Sequence, residues 1–177
     1  EMSGRLSEIC GRGGSAALTL AFRAVLDAQR QGEIAAWVTG LRSCFFPPDA
    51  AAAGVDLDAL AVARVPDVTA IGRAADHLAR SGAFGLVVLD VGSAEVPAPM
   101  MSRLLGLAQK HGTAIVFLTE RPAHASSLGS LISLRGDATR SRIQRERFRC
   151  ELHIVKDKRR ARAWSHAEVC RGPAGLR

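Results

Sequence analysis

Residues Gly11–Phe22 read GRGGSAALTLAF and follow a short segment, Arg5–Ile9, whose spacing predicts a β-strand. The glycines and the serine are typical of a tight turn. Leu18, Ala21 and Val25 then recur at the spacing of an amphipathic helix. A strand, a glycine-rich turn and a helix in this order form the setting of a phosphate-binding loop, GxxxxGK[ST]. The sequence therefore predicts the backbone of such a loop at this point.

This loop lacks the side chains that perform phosphate chemistry. Ala16, Ala17 and Leu18 stand where glycine, lysine and serine or threonine belong. The lysine neutralises the terminal phosphates and the hydroxyl holds Mg²⁺, so their joint loss argues against ATP hydrolysis. We predict a vestigial loop with no catalytic residue, cofactor or metal; the alternative is a plain strand-to-helix turn. The vestigial loop comprises Gly11, Arg12, Gly13, Gly14, Ser15, Ala16, Ala17 and Leu18.

The pattern along the rest of the chain predicts an α/β fold. The continuous apolar runs Leu86–Leu89 and Ile115–Leu118 are typical of central parallel strands that are buried on both faces. Phe148–Val155 alternates between apolar and polar residues, as in an antiparallel strand at a sheet margin. We therefore expect a mostly parallel twisted sheet flanked by helices, with an antiparallel C-terminal margin. The 177 residues, 47% of them apolar, suffice for one core domain spanning 1–177.

Positive charge is concentrated in the last quarter of the chain. Residues 135–177 hold 13 lysines and arginines against 5 acidic residues, whereas the whole chain has a net charge of +7. Alternating arginines in TRSRIQRERFR predict one charged row on a strand. Such a row suits an acidic partner surface or, more weakly, DNA phosphates; a solvated arginine-rich surface is the alternative. The predicted contact residues are Arg140, Arg142, Arg145, Arg147, Arg149, Lys156, Lys158, Arg159 and Arg160.

Several other classes of protein are not indicated. The chain has no apolar run long enough for a membrane span and no signal-peptide pattern, so we expect a cytoplasmic protein with no membrane partner. Cys10, Cys44, Cys150 and Cys170 are widely separated and show no metal-ligand spacing, which favours reduced thiols.

The order of the motifs resembles the bacterial recombinase family RecA. GRLSEICG and TLAFRAVLDAQRQG resemble its core entry and first helix, and DHLARSGAFGLVVLD resembles its magnesium-binding strand, which ends here at Asp90. IVFLTERP resembles the strand that ends in a nucleotide-sensing glutamine, but Glu120 stands there; VTGLRS places Leu41 at the position of the catalytic glutamate. In HIVKDKRRARAW, Lys156 and Lys158 match paired lysines that sense a neighbouring subunit's ATP.

A RecA core without these groups, and with only Ser93–Pro99 and Arg121–Ser130 in place of the DNA-binding loops, resembles the ImuA family. That resemblance implies a non-catalytic adaptor in SOS-induced mutagenic translesion DNA synthesis, associated with the nucleoid. It implies binding to an ImuB-type Y-family polymerase relative and to RecA, with a limiting effect on RecA filaments. The alternatives are a DNA-binding accessory subunit, a nucleotide sensor without hydrolysis, and a SulA-like cell-division inhibitor.

In RecA, a short N-terminal segment of one subunit packs on the core of the next. The resemblance places the matching region at Ala61–Val65 and the helix Thr69–Arg80. We expect Val62 and Val65 to offer an apolar strand edge that accepts an added strand, with burial in the core as the alternative. The predicted partner-binding residues are Val62, Arg64, Val65, Ile71, Ala74, Ala75 and Leu78.

Overall fold

A computed structural model of the chain describes residues 2–41, 45–145, 147–160 and 164–171. Its helices are α1 (Ala17–Arg30), α2 (Pro47–Ala52), α3 (Val68–Ser81) and α4 (Ala98–His111). Its strands are β1 (Leu6–Cys10), β2 (Ile34–Gly40), β3 (Leu60–Val65), β4 (Phe84–Gly92), β5 (Ala114–Thr119), β6 (Leu134–Gln144), β7 (Arg147–Asp157) and β8 (Ser165–Arg171). These strands form one sheet in the order β3-β2-β4-β5-β1-β6-β7-β8.

The first six strands in this order are parallel to one another. β4 lies between β2 and β5, and β1 lies between β5 and β6. The apolar runs that predicted central strands are indeed covered on both faces, since Leu86–Leu89 and Ile115–Leu118 are buried throughout. Together with the antiparallel pairing of β6, β7 and β8, this confirms the predicted α/β fold with an antiparallel margin.

Helices cover the two faces of the sheet. On one face, Leu20, Phe22 and Val25 of α1 pack in a core with Trp37 of β2 and Val116 of β5. On the other face, α3 and α4 pack over the sheet in a second core. Local signals set the helix ends: the Asp67 carboxylate accepts a hydrogen bond from the Ala70 N–H at 2.8 Å, and Gly82 ends α3 with φ of 68°. The sheet is thus held between two helical layers.

β6 and β8 were not predicted as separate strands, and the single strand predicted across TRSRIQRERFR is divided between the end of β6 and the start of β7. β6 runs parallel to β1, with Ser7 opposite Leu134. Residues 120–133 make the crossover from β5 to β6 without a helix, although such a connection usually contains one. From β6 the chain turns back into β7 and then β8, so the last three strands form a meander. The meander extends the sheet beyond the region covered by α3 and α4.

Candidate functional site

The predicted phosphate-loop backbone lies between β1 and α1. Gly14 adopts φ of 73°, a conformation that favours glycine. The Ser15 N–H donates to the Arg12 carbonyl at 3.0 Å, and the Ser15 hydroxyl accepts from the Ala17 N–H at 3.3 Å. A side chain at Gly11 would approach the Ala138 carbonyl to 3.2 Å. The loop is therefore a closely packed turn that leads into the first turn of α1.

The positions of the missing chemical groups face open space. Ala17 and Leu18 are half-buried and line a large cleft, whereas Ala16 is fully buried. The lysine position thus presents a methyl group to the cleft, and the hydroxyl position presents an isobutyl group. Neither supplies a cation or a magnesium ligand at the place where a phosphate-binding loop provides both.

Asp90 lies across the cleft from this loop, at the carboxyl end of β4. The Thr39 hydroxyl donates to Asp90 Oδ2 at 3.1 Å, which ties the carboxylate to the neighbouring strand β2. Leu41, just beyond the end of β2, is 66% exposed and has no acidic or basic group. Within the described ranges, no three His, Cys, Asp or Glu side chains are grouped closely enough to hold a metal ion. The Asp90 carboxylate thus links β4 to β2 at the strand end.

The cleft has a volume of about 1240 Å³ and opens at the carboxyl ends of the parallel strands. Ligands of open α/β sheets bind at this end. The vestigial loop and the start of α1 form one wall, and the β6–β7–β8 meander forms the facing wall. The cleft thus brings together two regions that the sequence predicted separately, the vestigial loop and the basic segment.

The predicted single row of arginines is wrong, because the chain reverses direction within it. Arg140 and Arg142 lie on β6 opposite Cys150 and Phe148 of β7, and therefore share their face. Arg149 lies opposite Ser141, and Arg147 lies opposite Gln144. Successive residues of a strand point to opposite faces, so the last two arginines lie on the outer face of the meander. Arg140, Arg142 and Arg145 line the cleft.

Lys156 and Lys158 contact the protein itself. Lys156 Nζ donates to the Ser127 hydroxyl at 3.2 Å, and Lys158 Nζ donates to the Ser130 carbonyl at 2.6 Å. Burial, together with the nearby charge of Lys158, lowers the pKa of Lys156. These contacts join the end of β7 to the 121–130 segment. Lys158, Arg159 and Arg160 are exposed, so their contact with an acidic partner or DNA stays a prediction.

The 121–130 segment is also held by a buried ion pair that was not predicted from the sequence. Glu8 of β1 and Arg135 of β6 have side chains that are 0% and 4% exposed, with Arg135 Nε 3.4 Å from Glu8 Oε2. Glu8 also accepts hydrogen bonds from the Thr119 hydroxyl and the Leu128 N–H, each at 2.9 Å. Arg135 donates to the carbonyls of 122, 123 and 125. A lone glutamate within an apolar strand is the signal that could have revealed this pair.

A second buried pair joins the start of β1 to the end of β7. Arg5 Nη2 lies 2.8 Å from Asp157 Oδ1, and the two side chains are 4% and 1% exposed. Arg5 also donates to the hydroxyl and carbonyl of Ser133. The two pairs connect the parallel part of the sheet to the meander. They therefore fix the position of the basic wall relative to the vestigial loop.

The predicted partner-binding residues divide into two groups. β3 is the edge strand of the sheet, and Val62 is 41% exposed on it. Arg64 is exposed and donates to the Phe45 carbonyl at 3.1 Å. Ile71 and Ala75, however, are 3% and 0% exposed in the core beneath α3. Their assignment to partner binding is wrong, because these positions of the helix face the sheet.

The remaining members of that set are intermediate in exposure. Val65, Ala74 and Leu78 are half-buried and pack at the margin of the core between α3 and the sheet. Their exposed parts flank the outer side of β3 and α3. The structure thus brings Val62, Arg64 and Val65 together on one edge strand, while α3 contributes mainly core residues.

The described cysteines are free thiols. Burial raises the pKa of Cys10 to about 11 and that of Cys170 to about 12. Burial also raises the pKa of Cys150. A thiol must lose its proton to act as a nucleophile, so these groups are poorly suited to catalysis at neutral pH. Cys44 lies outside the described residues.

A strand, a glycine loop and a helix at the opening of a parallel sheet define the class of α/β proteins with a phosphate-loop core. Residues 2–118 match the RecA N-terminal domain, and the chain therefore belongs to the RecA family. It is 35% identical to Protein RecA of Salinispora tropica over 137 residues, which cover 66% of this chain and 39% of that relative. It is 36% identical to Protein RecA of Trichodesmium erythraeum over 138 residues, covering 66% and 38%. The chain thus spans about two fifths of the length of these curated relatives.

Within the described part of the chain, the helices are all too short or too polar to span a bilayer.

Proposed function

We propose that this chain is a non-catalytic RecA-like adaptor of the ImuA type, acting in SOS-induced mutagenic translesion DNA synthesis. Its proposed partners are an ImuB-type Y-family polymerase relative and RecA, whose filaments it limits. We further propose that residues 1–177 form one domain, located in the cytoplasm near the nucleoid. The observation that carries the proposal is the pair Ala17 and Leu18, which face the cleft where a lysine and a hydroxyl belong.

The argument against catalysis rests on three positions around the cleft. Ala17 cannot neutralise a terminal phosphate, and Leu18 cannot bind Mg²⁺. Leu41, at the position that the RecA resemblance gives to the catalytic glutamate, cannot accept a proton from water. A carboxylate is retained at Asp90, but it accepts a hydrogen bond from the Thr39 hydroxyl and so joins β4 to β2 without any ligand. A motor core with these three changes retains its shape and loses its chemistry.

The argument for an adaptor rests on the free edge of the sheet. β3 pairs with β2 along its full length, from Leu60 opposite Ala35 to Val65 opposite Gly40. Within the described residues no strand pairs with its other side. An exposed edge presents unpaired N–H and C=O groups that accept an added strand. The RecA resemblance places the docking of a neighbouring subunit's segment in this region, so we assign partner binding to β3.

Val62 provides the side-chain contact in this arrangement. It is 41% exposed, so covering it removes apolar area from water in addition to forming backbone hydrogen bonds. Arg64, two residues along the same strand, holds the turn before α2 through the Phe45 carbonyl and so fixes one end of the edge. The proposed partner segment is therefore an extended strand with an apolar residue opposite Val62.

The test is a binding measurement with the purified ImuB-type polymerase relative and with RecA from the same organism. Val62→Asp places an unpaired carboxylate in the proposed contact, so binding should weaken by about tenfold or more. Val155→Asp is the matched control, because Val155 is 38% exposed on β7, far from β3 in the strand order and outside the lining of the cleft. Both variants should keep the native circular dichroism spectrum. Equal binding by the two folded variants would reject β3 as the docking edge.

A DNA-binding accessory subunit is the second candidate. Arg147 and Arg149 are exposed on the outer face of the meander, where Arg149 forms an ion pair with Glu151, and Arg159 and Arg160 add positive charge just after β7. Such a surface supports weak binding to phosphates without sequence preference. Gel shifts at several salt concentrations would test it, and the affinity should fall steeply as salt rises.

A further inference from the structure

The cleft holds arginines on both of its walls. Arg12 belongs to the vestigial loop, and Arg140 and Arg145 belong to the facing hairpin. All three are exposed, and within the described residues none of them forms an ion pair with a carboxylate. Three cations around one cavity, without partners to balance them, favour an anionic occupant.

Arg140 is held in a defined position between the two walls. Its guanidinium carbon lies 4.9 Å from the centre of the Phe148 ring, a cation–π contact. Its Nη2 lies 3.7 Å from the point that a side chain at Gly14 would occupy. A cation of the β6–β7 hairpin therefore reaches the loop whose own lysine is absent. This contact brings an arginine that is distant in sequence to the glycine turn.

The end of β6 is held by two hydrogen bonds from the Arg142 side chain. Arg142 Nη2 donates to the Arg145 carbonyl at 3.0 Å, and its Nε donates to the Gln144 carbonyl at 3.3 Å. These bonds fix the carbonyls of Gln144 and Arg145 at the end of β6. Arg140 and Arg145 are both exposed and both line the cleft.

The rest of the lining is mixed, and its other arginines are Arg23, which forms an ion pair with Glu168 of β8, Arg142 and Arg171. Ala17, Leu18 and Ala53 contribute apolar surface to the lining. Asp49 of α2, Asp90 of β4 and Glu120, just after β5, place negative charge on the part of the lining formed by the strand ends and α2. A ligand of this cleft must therefore carry separate negative charges and an apolar group. Its negative charges must lie away from the acidic part of the lining.

We propose that this cleft binds an acidic peptide segment of a protein partner, with an apolar side chain on Leu18 and carboxylates on Arg12, Arg140 and Arg145. This site is separate from the β3 edge, and it holds whether or not that edge binds the partners named above. A peptide carries its charges one at a time, so it can match the three arginines without approaching Asp49 and Glu120.

Nucleic acid fits the same cleft less well. A phosphate backbone is continuous, and it would run past the carboxylates of Asp49 and Glu120. Base stacking requires aromatic platforms, and of the two aromatic rings in the lining Phe148 is already covered by Arg140 and Phe22 is 4% exposed. The geometry thus favours a peptide over a single strand.

The proposal is tested by fluorescence anisotropy with a labelled peptide of glutamates and leucines. The cleft variant combines Arg140→Glu with Arg145→Glu. The control combines Arg147→Glu with Arg149→Glu, which makes the same change of charge in the same hairpin but on the outer face. We expect wild type and control to bind the peptide similarly, and the cleft variant to bind it at least about tenfold more weakly. Thermal melts verify that each variant is folded.

A second cleft variant, Arg12→Glu with Arg145→Glu, leaves the Arg140–Phe148 contact intact and covers the case in which the first fails to fold. Equal losses of peptide affinity in the cleft variants and the control would mean that only the net charge of the protein matters, and this would overturn the proposal. Failure of the peptide to bind wild type at low salt would also overturn it. So would cleft-dependent binding of a labelled oligothymidine, or of the same peptide with lysine in place of glutamate.

Discussion

The buried pair of Glu8 and Arg135 should dominate the stability of the connection between the parallel sheet and the meander. Glu8 is 1% exposed, and its two oxygens accept from the Thr119 hydroxyl and the Leu128 N–H at 2.9 Å. Glu8→Gln removes the negative charge. The new amide NH₂ group must then face either the Thr119 hydroxyl or the Leu128 N–H and the Arg135 guanidinium. Arg135 then remains as a buried cation with only neutral acceptors.

The magnitude follows from the burial of both groups. Removing one member of a buried pair leaves an uncompensated charge and typically costs about 3–5 kcal/mol. The total free energy of unfolding of a protein is only about 5–15 kcal/mol, so Glu8→Gln should remove a large part of it. Arg135→Met should cost a similar amount, because Glu8 would then be the isolated charge. The double variant should cost clearly less than the sum of the two, since neither charge remains.

Urea unfolding at neutral pH measures these free energies, and the double variant remains informative if either single variant fails to fold. Glu95→Gln is the control. It breaks the ion pair with Arg121, in which the Glu95 side chain is 83% exposed, and should change stability by less than about 1 kcal/mol. A loss for Glu8→Gln no larger than that of Glu95→Gln would refute the reasoning.

Two further predictions concern pH and nucleotide. Burial alone would raise the pKa of Asp157, but the Arg159 N–H and the Arg5 guanidinium outweigh it and hold this pKa below its usual 3.8. The Asp157 carboxylate therefore stabilises the fold fully above a pH of about 4, and this stabilisation is lost as the pH falls through the lowered pKa. In Asp157→Asn, the urea midpoint should depend less on pH in the acidic range than it does in wild type. An unchanged pH dependence of the midpoint would contradict this prediction. Calorimetry with ATP and Mg²⁺ should show no heat of binding, because Ala17 and Leu18 supply neither cation nor hydroxyl; saturable heat would contradict it.

The parallel half of the fold was predictable because its signals are local. Leu86–Leu89 and Ile115–Leu118 are continuous apolar runs, and only a strand that is covered on both faces needs them. β6 and β8 were not predicted because they lack such local signals. They are largely polar and exposed, and β6 follows a crossover without a helix, so neither periodicity nor a flanking helix marks it.

The candidate site was predictable in its loop and not in its wall. The glycine loop is a contiguous motif, and the residues at the lysine and hydroxyl positions of the predicted pattern, Ala17 and Leu18, can be read directly from the sequence. The arginine row was misplaced because TRSRIQRERFR contains no glycine, proline or asparagine to mark the reversal after Gln144. Only the pairing of Arg140 with Cys150 reveals which arginines face the cleft. That information is a contact between strands, and no local pattern contains it.

The roles of Lys156 and Lys158 link the vestigial loop to the way the chain assembles. The RecA resemblance gives these positions to lysines that sense a neighbour's ATP, which requires ammonium groups that reach outward. Here both donate to the 121–130 segment, and Lys156 is further disfavoured as a cation by burial. Turning them outward would leave the Ser127 hydroxyl and the Ser130 carbonyl without these donors. An assembly that used these two ammonium groups would therefore have to break both contacts.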